Sequence, residues 1–399
     1  MTTTPRFIQI HFLTTYPASL LNRDDAGFAK RLPYGGAVRT RISSQCQKRH
    51  WRTFDGPNNL ASIRGKDVMS VRSRYIFDQI AEPLRERFRD APDKAKQVDS
   101  TVKAISDVTL GASDKGEKSE KGKDAETDLK TSQLIVLGYP EITFLRETAE
   151  ELIDGGEKVD AKSVKSALGK AGYANLEAIG RGAGLDAALF GRMKTSDVLA
   201  DCDAAVHVAH ALTVHGEHTE MDYFTAVDDL DVEGAAHVNA SELTSGLFYG
   251  YVSVDVALLL SNLEGVAPGD WQQADRTLAG EVIAHLIHLV STVSPGAKRG
   301  GTAPYSFADF VAVEAGDAQP SSWAGAFFSP VVDRTDLREK AVEEIADYLG
   351  RLDRMYEPAV NRHYSTMTDT GLHGNRMVNA ESIPNLSRWA SEVIKGEVG

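Results

Sequence analysis

Residues 7–52 read FIQIHFLTTYPASLLNRDDAGFAKRLPYGGAVRTRISSQCQKRHWR. The opening run, Phe7 to Leu13, is rich in aromatic and β-branched side chains and ends in the turn-formers TTYPAS, which predicts a first strand lying in the core. From Asn22 to Thr40, Pro33, Gly35 and Gly36 punctuate the chain while basic side chains recur without helical period, so this part reads as a long irregular loop. Ser43 or Ser44 can then cap a helix through SQCQKRHWRTF, because a serine oxygen satisfies an orphan amide of the first turn. Lys48 and Arg52 would share one face of that helix at i,i+4 spacing.

Between Asn22 and Arg52 stand Arg23, Lys30, Arg31, Arg39, Arg41, Lys48, Arg49 and Arg52 against only Asp24 and Asp25, a local charge of +6 in a chain of net charge -13. A net charge of that sign argues against a nucleic-acid binder, but its distribution points the other way. A basic groove on an acidic body would attract phosphates locally while discouraging indiscriminate sticking; the plainer alternative is a solvated charged face.

The remaining composition is that of a folded protein. With 399 residues, 42% hydrophobic and 25% charged, the chain can bury a core without staples. Cys46 and Cys202 are too few for a disulfide framework and form no Cys-x-x-Cys, as expected of a reducing cytoplasm. The N-terminus lacks a basic region leading into a long apolar one, and the longest apolar run, VDVALLLSNL, is far short of a span, so neither export nor a membrane is expected.

Further along, residues 60–184 turn charged and helix-favouring, interrupted at Gly111 to Lys130 by a stretch with almost no apolar residue that is expected to be mobile. Asp197 to Leu212 shows an apolar stripe through Val198, Ala205, Val208 and Leu212 and reads as a helix packed on a sheet. The following segment mixes aromatic and β-branched residues with acidic and turn residues, which predicts a protruding hairpin. LFYGYVSVDVALLL from Leu247 is strand-like, TLAGEVIAHLIHLVSTV from Thr277 is an amphipathic helix, and SFADFVAVEAG from Ser306 is a further strand. The C-terminal third reads as surface-packing helices. The order of elements predicts an α+β fold with a ferredoxin-like or RNA-recognition-type core carrying insertions.

No constellation makes a positive case for catalysis. GAGLDA at Gly182 to Ala187 fits a loose dinucleotide fingerprint but follows helical sequence and reads as a flexible connection. His207 and His210, with His215 and His218 close by, could put two imidazoles on one helical face, and His285 with His288 repeats the spacing, but no third or fourth metal ligand is specified. Asp228 and Asp229 could hold a divalent ion or exchange protons, though exposed acids at a hairpin are the simpler reading. Cations around Cys46 would favour its thiolate, but no catalytic histidine is evident beside it. What remains is a basic loop, a basic-faced helix and a hairpin bearing Tyr223 and Phe224. Cations neutralise phosphates and aromatics stack on bases, which is how single-stranded RNA is held; the two aromatics could equally be core residues.

The strings LLNRDD and YGGAVRTRISSQCQKRHWR, with LFGRMKTSD, DYFTAVDDL, SSW and SPGAK, resemble the CasC family, the RNA-binding backbone subunits of the type I-E CRISPR Cascade complex in the RAMP superfamily. The resemblance runs over nearly the whole chain. It implies an RRM/ferredoxin-like palm in residues 1–59, 185–213 and 247–399, a helical fingers insertion in 60–184 and a β-hairpin thumb in 214–246. Several copies would stack along one CRISPR guide RNA, each thumb kinking the guide of its neighbour, alongside other Cascade subunits, with target DNA met only through guide pairing. By motif, Arg23, Lys30, Ser43, Gln45, Lys48, Arg49 and Arg52 would bind the guide's phosphates and sugars. Met193 would wedge near the kink, and Tyr223, Phe224 and Thr225 would lie on the thumb. No cofactor, no metal and no catalysis are implied. A carrier of arbitrary guides must avoid base-edge readout, which suits binding through backbone groups. The run at Gly111 to Lys130 departs from the family's fingers, and Lys298, Arg299, Gly300 and Gly301 form a further, lower-ranked RNA contact. Two rivals stay open: a ribonuclease using His215 or Asp228, and a scaffold that binds only protein.

Overall fold

The computed structural model describes residues 4–65, 68–111, 129–156, 159–168, 184–192, 202–227, 235–332, 335–369, 372 and 377–397. The chain opens with strands β1 (Phe7–Ser19), β2 (Arg31–Tyr34) and β3 (Ala37–Ile42) and helix α1 (Ser44–Arg52). It continues through β4 (Ser70–Ser73), α2 (Asp78–Arg87), α3 (Pro92–Leu110), β5 (Ile135–Gly138) and α4 (Tyr139–Asp154). Strands β6 (Val206–Val208), β7 (Ala211–Thr213), β8 (Thr219–Val227) and β9 (Ala235–Asp255) follow, then α5 (Thr277–Thr292) and β10 (Ala308–Gly316). Helix α6 (Leu337–Tyr356), β11 (Val360–Thr366), β12 (Met377–Asn379) and α7 (Ile383–Lys395) close the chain. Two compact units result: Met1–Leu60 with Val206–Val256 and Arg276–Gly399, and Ala61–Ala205 with Ala257–Asp275.

The first unit is built on a ten-stranded, mainly antiparallel sheet in the order β12-β11-β10-β1-β9-β7-β3-β2, with β6 and β8 also paired to β9. The fold is α+β, as the sequence predicts. Central β1 places Ile8 between Val254 of β9 and Ala315 of β10, and Ile10 between Val252 and Val313, all buried. A strand covered on both faces needs a nearly continuous apolar run, which is what FIQIHFL supplies. One face packs Leu13, Tyr249 and Phe310 against Trp323, Phe327 and the α6 residues Ile345 and Leu349. The other gathers Tyr16, Ile42 and Phe248, with Cys46 of α1 packed against them. Gly250 has no room for a side chain, since a Cβ there would lie 2.0 Å from the Phe12 ring.

The polar interruptions of β1 are satisfied internally. His11 stacks on Trp323 with ring centroids 3.5 Å apart, and its ring nitrogens meet the Tyr249 hydroxyl at 2.9 Å and the Glu314 carboxylate at 3.2 Å. Arg362 donates to Glu314 at 2.6 Å and, through Nη1, to both Asp353 oxygens at 2.8 and 2.7 Å. Burial keeps His11 neutral by lowering its pKa. Burial raises the Glu314 pKa, but its bonds to His11 and Arg362 more than reverse that.

The second unit packs Ile80 and Leu84 of α2, Val98, Val102 and Ile105 of α3, and Ile142, Leu145 and Ala149 of α4 into one apolar cluster with Leu137 of β5. Inside it Arg192 donates to both oxygens of Glu141 at 2.8 and 2.7 Å, and Glu141 also accepts the Gly138 N–H. The helical character expected of residues 60–184 is present. The antiparallel β4–β5 pair was not foreseen, and this unit runs to Ala205 and adds Ala257–Asp275. The run expected to be mobile falls, at 112–128, outside the described residues.

Three local expectations change. The described part of the helix expected at Asp197 to Leu212 is strand, since β6 and β7 both pair with β9 and Val206-His207-Val208 alternates buried, exposed and half-buried as a strand does. The loop expected at Asn22 to Thr40 contains the β2–β3 hairpin. Gly35 and Gly36 carry positive φ (59° and 81°), as a two-residue hairpin turn requires, and a Cβ on Gly35 would collide with the Phe328 carbonyl. The strand read from Leu247 is the second half of the much longer β9 as far as Asp255, but its end, from Val256, is a helix (Val256–Glu264), and the C-terminal third adds β11 and β12 to its helices.

Candidate nucleic-acid interface

Helix α1 is fixed at its start by Ser43, whose Oγ accepts the Cys46 N–H at 3.3 Å and whose own N–H donates to Asn22 Oδ1 at 2.9 Å. Its inner face buries Gln47 and Trp51, four residues apart, and the Gln47 amide donates to the Ala209 carbonyl at 2.9 Å. Helical geometry therefore turns Gln45, Lys48, Arg49 and Arg52 away from the sheet: Gln45 and Arg49 are exposed, Lys48 and Arg52 half-buried. Burial disfavours the charged amine of Lys48 and lowers its pKa. Arg49 and Arg52 in the last turn complement the helix dipole. Ser43 itself is buried and spends its oxygen on the cap.

The loop before β2 is an ordered structure. The Asp24 carboxylate accepts the N–H groups of Ala26 and Phe28 at 3.0 and 2.9 Å, and the Lys30 N–H donates to the Asn22 carbonyl at 2.9 Å. Arg23 is exposed and Lys30 half-buried. Arg31 and Arg39, among the eight cations counted in the sequence, are committed to internal partners. Arg31 pairs with Glu242 and, at 3.3 Å, with Glu217, while Glu242 also accepts the Ala29 N–H at 2.6 Å. Arg39 is fully buried and donates to the carbonyls of Tyr34, Thr213 and Phe327 at 3.2, 3.0 and 2.9 Å. It joins three strands and loops of the core and is no part of a phosphate track.

A further pair of cations arrives from a distant part of the sequence. The loop after α5 is docked by the Ala297 N–H on the Leu20 carbonyl at 2.9 Å, and Arg299 comes close enough to α1 to bias both Cys46 and His50 electrostatically. Lys298 Nζ lies 4.7 Å over the ring of Phe224 on β8. Strand β8 pairs with β9 from Thr219↔Thr244 to Val227↔Ala235, and on it Tyr223 is 74% and Phe224 41% exposed. Successive strand residues point to opposite faces, so this ribbon presents an aromatic ring to solvent on each side. Thr225 beside them is exposed too. The sequence ranks Lys298 and Arg299 lowest, because nothing in SPGAKRGG shows that the loop folds back on α1.

The family model described as CT1975-like protein matches residues 8–390. The chain belongs to the CT1975-like protein family. Among solved structures, the CT1975-like chain is similar to a chain of a "CRISPR RNA-guided surveillance complex, pre-nicking", with 32% identity, a TM-score of 0.76, and 97% of this chain and 100% of that one covered. It shares its fold with a chain of a "CRISPR RNA-guided surveillance complex" at 24% identity and a TM-score of 0.56, covering 96% and 98% of the two. No curated protein matches.

Other candidates in the CT1975-like chain have different surroundings from those the sequence suggests. His215 is buried, with Nδ1 2.6 Å from the Gly216 carbonyl and Nε2 accepting the Leu247 N–H at 3.2 Å, so both ring nitrogens are committed to the backbone. Cys46 is a thiol, contrary to the thiolate its cationic neighbours favour: burial outweighs Lys30, Arg49 and Arg299 and pushes its pKa up to about 11. His207 sits on β6 and His210 between β6 and β7, not on one helical face, and His210 Nδ1 meets Arg41 at 2.9 Å. His285 on α5 faces the Asn58 and Asn59 carbonyls at 3.1 and 3.2 Å. Met193, Asp228 and Asp229 lie outside the described residues. Among the described residues no group of three His, Cys, Asp or Glu side chains could hold a metal ion, and no helix is long and apolar enough to cross a membrane.

Proposed function

We propose that the protein is a non-catalytic CRISPR-RNA-binding backbone subunit of a Cascade-type surveillance complex, of the type I-E CasC kind, working in the cytoplasm without a cofactor. Copies of it assemble along one guide RNA together with other Cascade subunits, and target DNA is met through guide pairing. The observation that carries the reading is the solvent face of α1, with Gln45, Lys48, Arg49 and Arg52, which Lys30 on one loop and Arg299 on another approach closely enough to act on Cys46. Cations gathered on separate elements form a track for phosphates and ignore base identity. The order β10-β1-β9-β7, with α1 lying in the chain between β1 and β7 and α5 between β9 and β10, supports an RNA-recognition-type palm. The β8–β9 ribbon with Tyr223, Phe224 and Thr225 is the thumb that closes over the guide. Ser43 serves this track by fixing the start of α1, and the commitment of His215 to backbone groups leaves the nuclease rival without its histidine.

The test is binding of mixed-sequence single-stranded RNA across a salt titration, with RNA length and particle mass followed together. Wild type is expected to form length-scaled assemblies on uncut RNA with log affinity falling linearly in log salt, and Arg49→Ala to reduce that slope by about 1. Lys48→Glu with Arg49→Glu should abolish assembly. Equal retention by the double variant rules out the phosphate track, and shortened RNA transfers the case to a ribonuclease.

A further inference from the structure

Glu242 lies on β9 at the base of the β8–β9 ribbon and is 6% exposed. Glutamate is almost never buried that far unless it is paired. One of its oxygens accepts the Ala29 N–H at 2.6 Å and the other accepts from Arg31 Nη2, so the residues on either side of Lys30 are tied to the same group. Arg31 Nε also turns back to the Ala29 carbonyl at 3.4 Å. Lys30 itself is fixed through its backbone, its N–H donating to the Asn22 carbonyl at 2.9 Å and its carbonyl accepting the Arg41 N–H at 2.8 Å. Ala29 is bridged across the loop to Arg23, and Asn22 holds the Ser43 N–H at the start of α1. A single buried acid therefore stands behind both cations of the loop.

Stability does not account for this acid. Taking a carboxylate out of water costs about as much as an ion pair returns, and an apolar contact of the same size would hold the strand as well. Nor does its charge help a polyanion to bind, since a carboxylate close to Lys30 opposes the approach of phosphates. What it supplies is direction. In the β8–β9 pairing Glu242 stands opposite Met221 and Ala240 opposite Tyr223. Residues two apart on a strand share a face with the residues directly across from them, so Glu242 lies on the Tyr223 face of the ribbon, about 7 Å nearer the sheet. The loop carrying Arg23 and Lys30 is thereby fastened to the ribbon face that bears an exposed aromatic ring.

Resting on the RNA-binding reading above, we propose that Glu242 is a positioning residue for RNA binding: its carboxylate sets the loop against the ribbon so that Arg23, Lys30 and Tyr223 meet one single strand together. Glu242 touches no RNA and acts through the loop. The test is salt-dependent binding of mixed-sequence single-stranded RNA by the full-length chain, by Glu242→Ala, and by the same substitution in an Arg23→Ala, Lys30→Ala background. Charge alone predicts tighter binding once the acid is removed. Positioning predicts the opposite sign: Glu242→Ala should bind about tenfold more weakly, with the slope of log affinity against log salt reduced by about 1.5, the share of two phosphates on a single strand. In the Arg23→Ala, Lys30→Ala background it should bring no further loss. Glu242→Gln, which keeps the size and one acceptor, should fall between wild type and Glu242→Ala, and it gives the sign if the alanine variant fails to fold. Affinity at or above wild type, an unreduced slope, or an equal loss in both backgrounds overturns the proposal and leaves the α1 track standing. A wild type that binds no RNA removes the underlying reading and this role with it.

Discussion

Arg39→Ala separates the architectural cation of the 22–52 segment from those on its surface. The Arg39 guanidinium is shared among the carbonyls of Tyr34, Thr213 and Phe327, at 2.9 to 3.2 Å, with the side chain fully buried. Hydrogen bonds from a charged donor contribute about 1.5–3 kcal/mol each, and each buried carbonyl left without a donor costs about 1 kcal/mol or more. Relief of the cost of burying the cation, which already lowers its pKa, offsets part of this. The net expectation is a loss of about 3–5 kcal/mol. With a urea dependence of about 3 kcal/mol/M, the midpoint should fall by more than about 1 M. Arg49→Ala, on the exposed side of α1, should move it by no more than about 0.5 kcal/mol. Urea denaturation followed by tryptophan fluorescence reads both, since Trp51 and Trp323 are buried in the same unit. If Arg39→Ala keeps wild-type stability and instead loses RNA affinity, the assignment of Arg39 to the core is wrong.

Protonation gives a second test. His11 has its pKa lowered from 6.5 by burial, so below about pH 6.5 the unfolded chain takes up a proton that the folded chain refuses, and stability falls as pH falls. Urea midpoints measured from about pH 7.5 down to pH 5.5 should decline less steeply in His11→Gln than in wild type; parallel slopes would remove His11 from the account. Gly250→Ala should destabilise by about 1–3 kcal/mol because its Cβ would meet the Phe12 ring, and Phe12→Leu should recover part of that loss in a double-mutant cycle, whereas strict additivity would mean the clash is relieved elsewhere. Tyr223→Ala should change the thermal midpoint little, since the ring is 74% exposed, yet weaken RNA binding several-fold; a marked loss of stability would show that the ring packs in the core.

Local patterns carried much of this molecule in plain view. The apolar run of β1, the serine cap of α1 and the amphipathic α5 depend on neighbours close in sequence, so they could be read from residue types alone. Strands β6 and β7 could not: three residues are too few to establish a period of two, and what makes Val206 a strand residue is its pairing with Val254, far along the chain. The β2–β3 hairpin was missed for another reason, because YGGA is a good two-residue hairpin signal but the strands around it are short and basic. Within the interface, α1 was legible from its i,i+4 spacing. The burial of Arg39, the pairing of Arg31 with Glu242 and Glu217, and the approach of Lys298 to Phe224 join residues far apart in sequence. Charge counting assigns such arginines to the surface by default, and only tertiary contact reveals where each charge is spent.

Strand β9 is 21 residues long, about 70 Å at the usual rise, and it runs from the β8 ribbon into the middle of the sheet without a break. Its register passes from Val227↔Ala235 near the ribbon's tip to Phe7↔Asp255 beside β1. A pull along the ribbon therefore arrives in the sheet as shear, spread over many backbone hydrogen bonds at once. The ribbon behaves as a lever clamped at its base, able to twist and bow as two strands do but stiff against being dragged lengthwise. Force spectroscopy on the chain pulled between Phe7 of β1 and Ala235 of β9, which lie at opposite ends of their shared direction, should show a single high-force event rather than a staircase of small ones.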